Sequence, residues 1–189
     1  MHFFIIHGAY GNPDENWFPW LKQQLESHGH TVSIPAFPTP ENQTLANWMD
    51  VFSPYLPKID RETVFVGHSL GPAFILSVLE RISVPVQSCF FVSGFVGLLG
   101  DKRFDSINSS FVTKDFHWQR IRENCGRFVL YHSDNDPYVP AEKAHELATK
   151  LNGELIVVSG GGHLNADGGY HTFPALLDDI LSMSHSTQH

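Results

Sequence analysis

Six short apolar runs punctuate this chain, at residues 3–7, 31–34, 63–66, 86–92, 127–132 and 154–158. They are rich in Phe, Val, Ile and Leu and alternate little, the pattern of strands buried on both faces. Between them lie segments whose apolar positions recur at helical spacing. Residues 16–27 put Trp17, Leu21 and Leu25 on one face, and further helices are expected over 45–55, 70–81, 141–151 and 173–182. Strand then helix, repeated, requires parallel pairing through right-handed crossovers, with helices on both faces. The expected fold is therefore an α/β three-layer sandwich.

Two segments break the rhythm: residues 35–43, rich in Pro and Thr, and residues 95–118, with Phe95, Phe104, Phe111, Phe116 and Trp118 among polar residues. Neither is long enough for a separate cap domain. The second leaves the carboxyl end of the fourth strand, so it can wall a pocket there or pack its aromatics on the sheet, the latter favoured for Phe116 and Trp118. One domain is expected over residues 1–183, followed by a patternless tail, 184–189, expected to be disordered.

Composition narrows the function classes. At 189 residues and 42% hydrophobic the chain can bury one sizeable core. Its 12 basic residues are outnumbered by 20 acidic ones and form no cluster or stripe, which argues against nucleic acid and membrane surfaces as partners. The start, Met1-His2-Phe3-Phe4-Ile5-Ile6, is too short for a signal sequence and no apolar run approaches membrane-spanning length, so a cytoplasmic protein is expected. Cys89 and Cys125 are the only cysteines and read as reduced, partly buried thiols.

The chemistry begins at Gly67-His68-Ser69-Leu70-Gly71, a G-x-S-x-G between an apolar strand and a helix carrying Pro72 in its first turn. In a chain with 15 glycines the pattern alone is weak; its position is what selects it. A turn that tight lifts Ser69 above the sheet edge, and Gly67 and Gly71 leave room for it. In open parallel sheets ligands bind where loops leave the carboxyl ends of strands, so partners for Ser69 belong there. The first such loop, His7-Gly8-Ala9-Tyr10-Gly11, offers a backbone N–H from Ala9, or from Tyr10 next in line. Paired with the N–H of Leu70 it would make a two-donor oxyanion hole.

The second loop, residues 132–140, offers Asp134 and Asp136. Asp136 is preferred, because Pro137 holds it extended and free to project toward a neighbouring loop, whereas Asp134 is placed to brace the turn. The third, Ser159-Gly160-Gly161-Gly162-His163, can carry His163 across the top of the sheet. Of the other histidines, His7 and His68 flank the elbow and are expected to hydrogen-bond around it. His2, His28, His30, His145, His185 and His189 read as surface residues, and His117, His132 and His171 stay open. No pair has a convincing metal-ligand spacing, and neither metal nor cofactor is expected. Ser69, Asp136 and His163 follow the chain order of an α/β-hydrolase triad of nucleophile, acid and base.

These residues, together with Trp17-Phe18-Pro19-Trp20-Leu21, Gly161-Gly162-His163-Leu164-Asn165 and Gly168-Gly169-Tyr170, make the chain similar to the small serine hydrolases of the YdeN and retinoblastoma-binding-protein type, over nearly its whole length. The resemblance implies a six-stranded parallel sheet of order 2-1-3-4-5-6, a triad at Ser69, Asp136 and His163, and cofactor-free hydrolysis of small ester or amide substrates. The L-x-C-x-E docking signature is absent, since neither Cys89 nor Cys125 has the required Leu and Glu neighbours, so no protein partner is assigned. Trp17, Phe18 and Trp20 read first as core, with one of them at the pocket mouth as the alternative. Two readings stay beside the esterase or amidase: a non-catalytic binding module on the same fold, and an acyltransferase or thioesterase using the same residues.

Overall fold

The computed structural model describes residues 1–185. Its six strands, β1 (His2–Ile6), β2 (Thr31–Ser33), β3 (Thr63–His68), β4 (Ser88–Val92), β5 (Phe128–Ser133) and β6 (Glu154–Val158), form one all-parallel sheet in the order β2-β1-β3-β4-β5-β6. The helices are α1 (Phe18–Ser27), α2 (Leu45–Phe52), α3 (Gly71–Leu79), α4 (Lys102–Val112), α5 (Trp118–Glu123), α6 (Ala141–Leu151) and α7 (Pro174–His185).

Alternate residues of each central strand feed two separate cores, which is why the runs look uniformly apolar. Phe4, Phe65, Cys89, Phe91 and Leu130 face α2, α3, α4 and α6, where Trp48, Phe52, Phe74 and Phe111 are fully buried. Phe3, Ile5, Val64, Val66, Phe90 and Val129 face the other way, against Trp17, Phe18, Leu21 and Leu25 of the α1 region and Leu176 and Ile180 of α7. The edge strand β6 departs from this: Val157 is 57% exposed. It has a neighbour on one side only, so its apolar run reflects strand propensity more than burial.

Several boundaries differ from the sequence reading. Val86 makes only an isolated bridge with Cys125, so β4 begins at Ser88. The second helix stops at Phe52 and tightens into a 3-10 turn, Ser53–Lys58, because Pro54 and Pro57 cannot donate the bonds a continued α-helix needs. Residues 95–118 contain a regular helix after all. Polar Ser and Asn residues mask α4, yet its buried Asn108, Phe111 and Val112 lie on one face and Asp101 caps its start. Helix α7 runs on through His185, taking in the first residues of the tail expected to be disordered; residues 186–189 of that tail lie outside the described residues. Cys89 and Cys125 are both buried free thiols, with their Sγ atoms 3.5 Å apart. Among the described residues no helix is long and apolar enough to cross a membrane.

The sheet and α3 meet most closely at Gly71. A Cβ there would sit 2.4 Å from the Ile6 carbonyl oxygen and 3.2 Å from that of His7, both backbone atoms that cannot step aside. Gly71→Ala is therefore expected to destabilise the fold by about 2–3 kcal/mol, through separation of α3 from β1. Urea unfolding of the two proteins measures this, and equal midpoints would contradict the close approach.

Candidate active site

The carboxyl ends of β1, β3, β5 and β6 open into one cavity of about 340 Å³, lined by Ser69 and His163 together with Ala9, Tyr10, Phe95 and Asn108. Ser69 sits at φ 57°, the left-handed region, where a β-carbon is normally disfavoured. Two things hold it there. Its N–H donates to the Val92 carbonyl of β4 at 2.9 Å, and the Gly8 backbone packs so close that a Cβ on Gly8 would lie 2.7 Å from Ser69 Cβ. Gly67 pairs with Ile6 and Phe91 in the sheet and lies under Pro72. The result is a strand-to-helix elbow whose side chain faces the cavity.

Both backbone donors expected beside Ser69 are available. Neither the Ala9 nor the Leu70 N–H has an acceptor among the described residues. Of the two residues that could supply the first donor, Tyr10 already donates its N–H to Thr39 Oγ1 at 2.6 Å, whereas the Ala9 N–H is unengaged. Leu70 immediately precedes α3, so the positive end of that helix adds to the field at the same spot.

The histidine and the acid meet. His163 Nδ1 donates to Asp136 Oδ2 at 2.8 Å, which fixes the tautomer and leaves Nε2 as an acceptor. The Asp136 side chain is fully buried. Its other oxygen, Oδ1, accepts from the N–H groups of Tyr138 at 2.9 Å and Val139 at 3.0 Å. Burial alone would push this carboxyl up. The hydrogen bond and charge of His163 and the two backbone donors outweigh burial and hold it below the ordinary carboxylate range.

Asp134 does not reach His163. It accepts from Gly160 N at 2.8 Å and Ser159 Oγ at 2.9 Å, and its neighbours act alike: Ser133 Oγ accepts from Gly161 N and Asn135 Oδ1 from Gly162 N, each at 2.8 Å. Three consecutive side chains thus hold three consecutive glycine N–H groups. The glycine loop is clamped, and His163 leaves it from a fixed point.

Further restraint acts on the backbone beyond the loop. The His163 carbonyl accepts from His68 Nε2 at 3.0 Å and from Ser93 Oγ at 3.2 Å, and the next carbonyl, that of Leu164, accepts from Trp17 Nε1 at 3.0 Å. Trp17 and Phe18 are fully buried, Trp20 packs on the same core, and none of the three lines the cavity. His7 also serves the backbone: Nδ1 donates to the Gly8 carbonyl at 2.8 Å and Nε2 accepts from Phe37 N at 3.1 Å. His132 donates from Nε2 to the Val139 carbonyl at 3.0 Å, bracing the acid loop. The sequence reading missed Ser93, Ser133, Asn135 and Asn108 altogether; only Ser133 and Asn135 carried a signal, as polar residues flanking the favoured acid.

Residues 95–118 supply both pocket wall and core. Phe95 and Phe104 line the cavity, Phe111 is buried beneath it, and Phe116 and Trp118 pack on the core away from it. Glu15 and Asp167 also line the cavity, with no lysine or arginine among the lining residues. Burial, with the Asp167 charge adding, raises the Glu15 carboxyl above its usual range. Among the described residues no group of three or more His, Cys, Asp or Glu is arranged to hold a metal ion.

This geometry agrees with what the chain is related to. The family model described as serine hydrolase matches residues 3–181. The chain belongs to the serine hydrolase family. The YdeN protein of Bacillus subtilis (strain 168) is 32% identical over 181 residues, covering 95% of this chain and 94% of that protein. The crystal structure of the ydeN gene product superposes with a TM-score of 0.89 at 31% identity, covering 96% of this chain and 97% of the other. Serine hydrolase RBBP9 of Rattus norvegicus is 25% identical over 148 residues, covering 78% of this chain and 77% of that protein. Family and α/β-hydrolase fold together make this protein a hydrolase.

The imidazole of His68 beside the site is kept neutral. Burial, with the nearby His163 imidazole adding, drives its pKa down from 6.5 to about 3. The unfolded chain protonates at this position below 6.5 while the folded protein does not, so acidification favours unfolding across that window. In His68→Gln the site no longer titrates, whereas His7 and His132, whose pKa values are also lowered by burial, are unchanged. The stability gap between wild type and variant should therefore narrow as pH falls from 6.5 toward 4, by up to about 1.4 kcal/mol per pH unit. Urea melts at several pH values measure the gap; one that stays constant would show that His68 does not titrate in this way.

Proposed function

We propose that the protein hydrolyses small carboxylic esters or amides with Ser69 as nucleophile, His163 as general base and acid, and Asp136 as the group that orients and stabilises the imidazole. The observation that carries this reading is the 2.8 Å bond from His163 Nδ1 to the buried Asp136 carboxylate, in a cavity that Ser69 also lines from a left-handed elbow.

In this reading His163 Nε2 takes the Ser69 Oγ proton as the oxygen attacks the substrate carbonyl. The tetrahedral oxyanion is received by the free N–H groups of Ala9 and Leu70. Such a donor is typically worth about 2.7–4 kcal/mol in the transition state, because it is already aimed and needs no reorganisation. The protonated His163 then delivers its proton to the leaving oxygen or nitrogen, and the acyl group stays on Ser69. Water, deprotonated by the same Nε2, releases the acid. Asp136 keeps the Nδ1 proton in place throughout and lowers the energy of the imidazolium, without itself taking the proton. A cavity of about 340 Å³ suits a compact substrate.

A fluorophosphonate probe should label the wild type and leave Ser69→Ala unlabelled, with hydrolysis of p-nitrophenyl acetate falling by about 10⁵-fold or more in the variant. Labelling that persists in Ser69→Ala, or its absence from a well-folded wild type, would sink the assignment. The two acids are told apart by kinetics. Asp136→Asn should lower kcat by about 10⁴-fold, since the imidazole loses its tautomer partner. Asp134→Asn, which disturbs only the glycine clamp, should cost no more than about ten-fold, corresponding to one weakened hydrogen bond. The reverse ranking would reassign the acid.

A further inference from the structure

Asn108 of α4 is only 2% exposed, yet it lines the cavity that holds Ser69 and His163. Its orientation is fixed by a chain of hydrogen bonds with a defined direction. The Tyr10 N–H can only donate, so Thr39 Oγ1 accepts from it at 2.6 Å and sends its own proton to Gln43 Oε1. Gln43 Nε2 lies 3.2 Å from the Ile107 carbonyl, which can only accept, and 2.7 Å from the Asn108 side chain. Asn108 must therefore present Oδ1 to Gln43. Its Nδ2 donates to no group among the described residues and is the polar end left toward the cavity.

We propose that Asn108 Nδ2 is a specificity-determining donor, and that the preferred substrates carry a neutral oxygen acceptor on the acyl group, beyond the reacting carbonyl: a ketone, ether or hydroxyl oxygen. The inference rests on the triad reading above. The cavity that Asn108 lines also carries Phe95, Leu99 and Val139, and an alkyl chain lying at Asn108 would leave the amide donor unpaired. An oxygen placed there satisfies it. A carboxylate is disfavoured, because Glu15 and Asp167 line the same cavity and no lysine or arginine does. The acyl side is indicated by the connectivity. The relay ties Asn108 to the turn whose Ala9 N–H receives the oxyanion, whereas the leaving group has to lie against His163 Nε2 to take its proton.

The test compares p-nitrophenyl esters in matched pairs, 4-oxopentanoate against 4-methylpentanoate and 5-oxohexanoate against 5-methylhexanoate, each rate divided by its rate of alkaline hydrolysis. In the wild type kcat/KM should favour the keto ester of at least one pair by about ten-fold or more, since a site built around a donor discriminates against the analogue that leaves it unpaired. Asn108→Leu and Asn108→Asp should both bring that ratio to about one. The aspartate keeps an oxygen for Gln43 Nε2, so its result does not depend on repacking of the relay. A wild-type ratio near one in both pairs overturns the proposal, as does a preference that survives both substitutions. Ser69→Ala separates the two levels. If it abolishes hydrolysis while the ratio stays near one, only the role of Asn108 falls; if hydrolysis persists in it, the reading of the whole site falls with it.

Discussion

Between β3 and α3 the chain must reverse from strand to helix within a few residues, and this turn exists only because α3 can press its first residue onto the end of β1. Gly71 lies where any side chain would strike the Ile6 carbonyl, and Gly8 leaves the space that Ser69 Cβ occupies. With those contacts in place the left-handed backbone of Ser69, at φ 57°, is over-determined by its surroundings and its local strain is tolerated. The cavity follows from the same constraint. Once Ser69 is raised above the sheet, the loops leaving β1, β5 and β6 line the cavity with it, and the N–H groups of Ala9 and Leu70 stay unengaged.

His163 is positioned by a different strategy. No helix or strand carries it; it stands at the end of a glycine loop, the kind of segment ordinarily associated with mobility. Here Ser133, Asp134 and Asn135 receive the N–H groups of Gly161, Gly160 and Gly162, and His68, Ser93 and Trp17 hold the carbonyls just beyond. The glycines supply unusual backbone angles, with φ 70° at Gly160 and 58° at Gly162, while neighbouring side chains supply the rigidity. The protonation state of His68 matters to this arrangement. Neutral, it donates one proton to the His163 carbonyl and places no positive charge beside an imidazole whose ring centre is only 4.9 Å away. A cation at that distance would oppose the imidazolium that the proposed mechanism requires.

What could be read from the sequence divides along physical lines. The strands and the elbow were legible because they rest on backbone-level signals: apolar runs, a Gly-bounded Ser, a Pro in the first helical turn; the strand order came through the family resemblance. That Asp136 projects to a neighbouring loop, where it meets His163, while Asp134 braces the turn was legible too, because Pro137 restricts the residue before it. Helix α4 was not, since Ser, Asn and Lys obscure its period and its buried face includes an asparagine in place of an aliphatic residue. Nor was the relay through Thr39 and Gln43. Bonded neighbours in it lie up to 65 positions apart along the chain, and Gln43 and Asn108 are common surface residue types that become buried only through the tertiary fold.

The cavity is thus assembled from two kinds of structure. Strand ends and their short loops fix Ser69, Asp136, His163 and the two backbone donors, and these positions are set by sheet geometry shared across the fold. Another wall comes from residues 95–108, with Gln43 bonded to Asn108, and no strand register constrains it, so its side chains are free to differ without disturbing the elbow. The two are nevertheless joined at one atom. The Tyr10 N–H is engaged by Thr39, which leaves the Ala9 N–H as the unengaged one of the two, and the same Thr39 hydroxyl begins the sequence of bonds that orients Gln43 and Asn108. A change in this wall that releases Thr39 would free a competing donor next to the oxyanion position. In the proposed mechanism, selection of the acyl group and stabilisation of the transition state would therefore be coupled through a single hydroxyl, a coupling that neither the proposed triad nor the pocket lining displays when viewed alone.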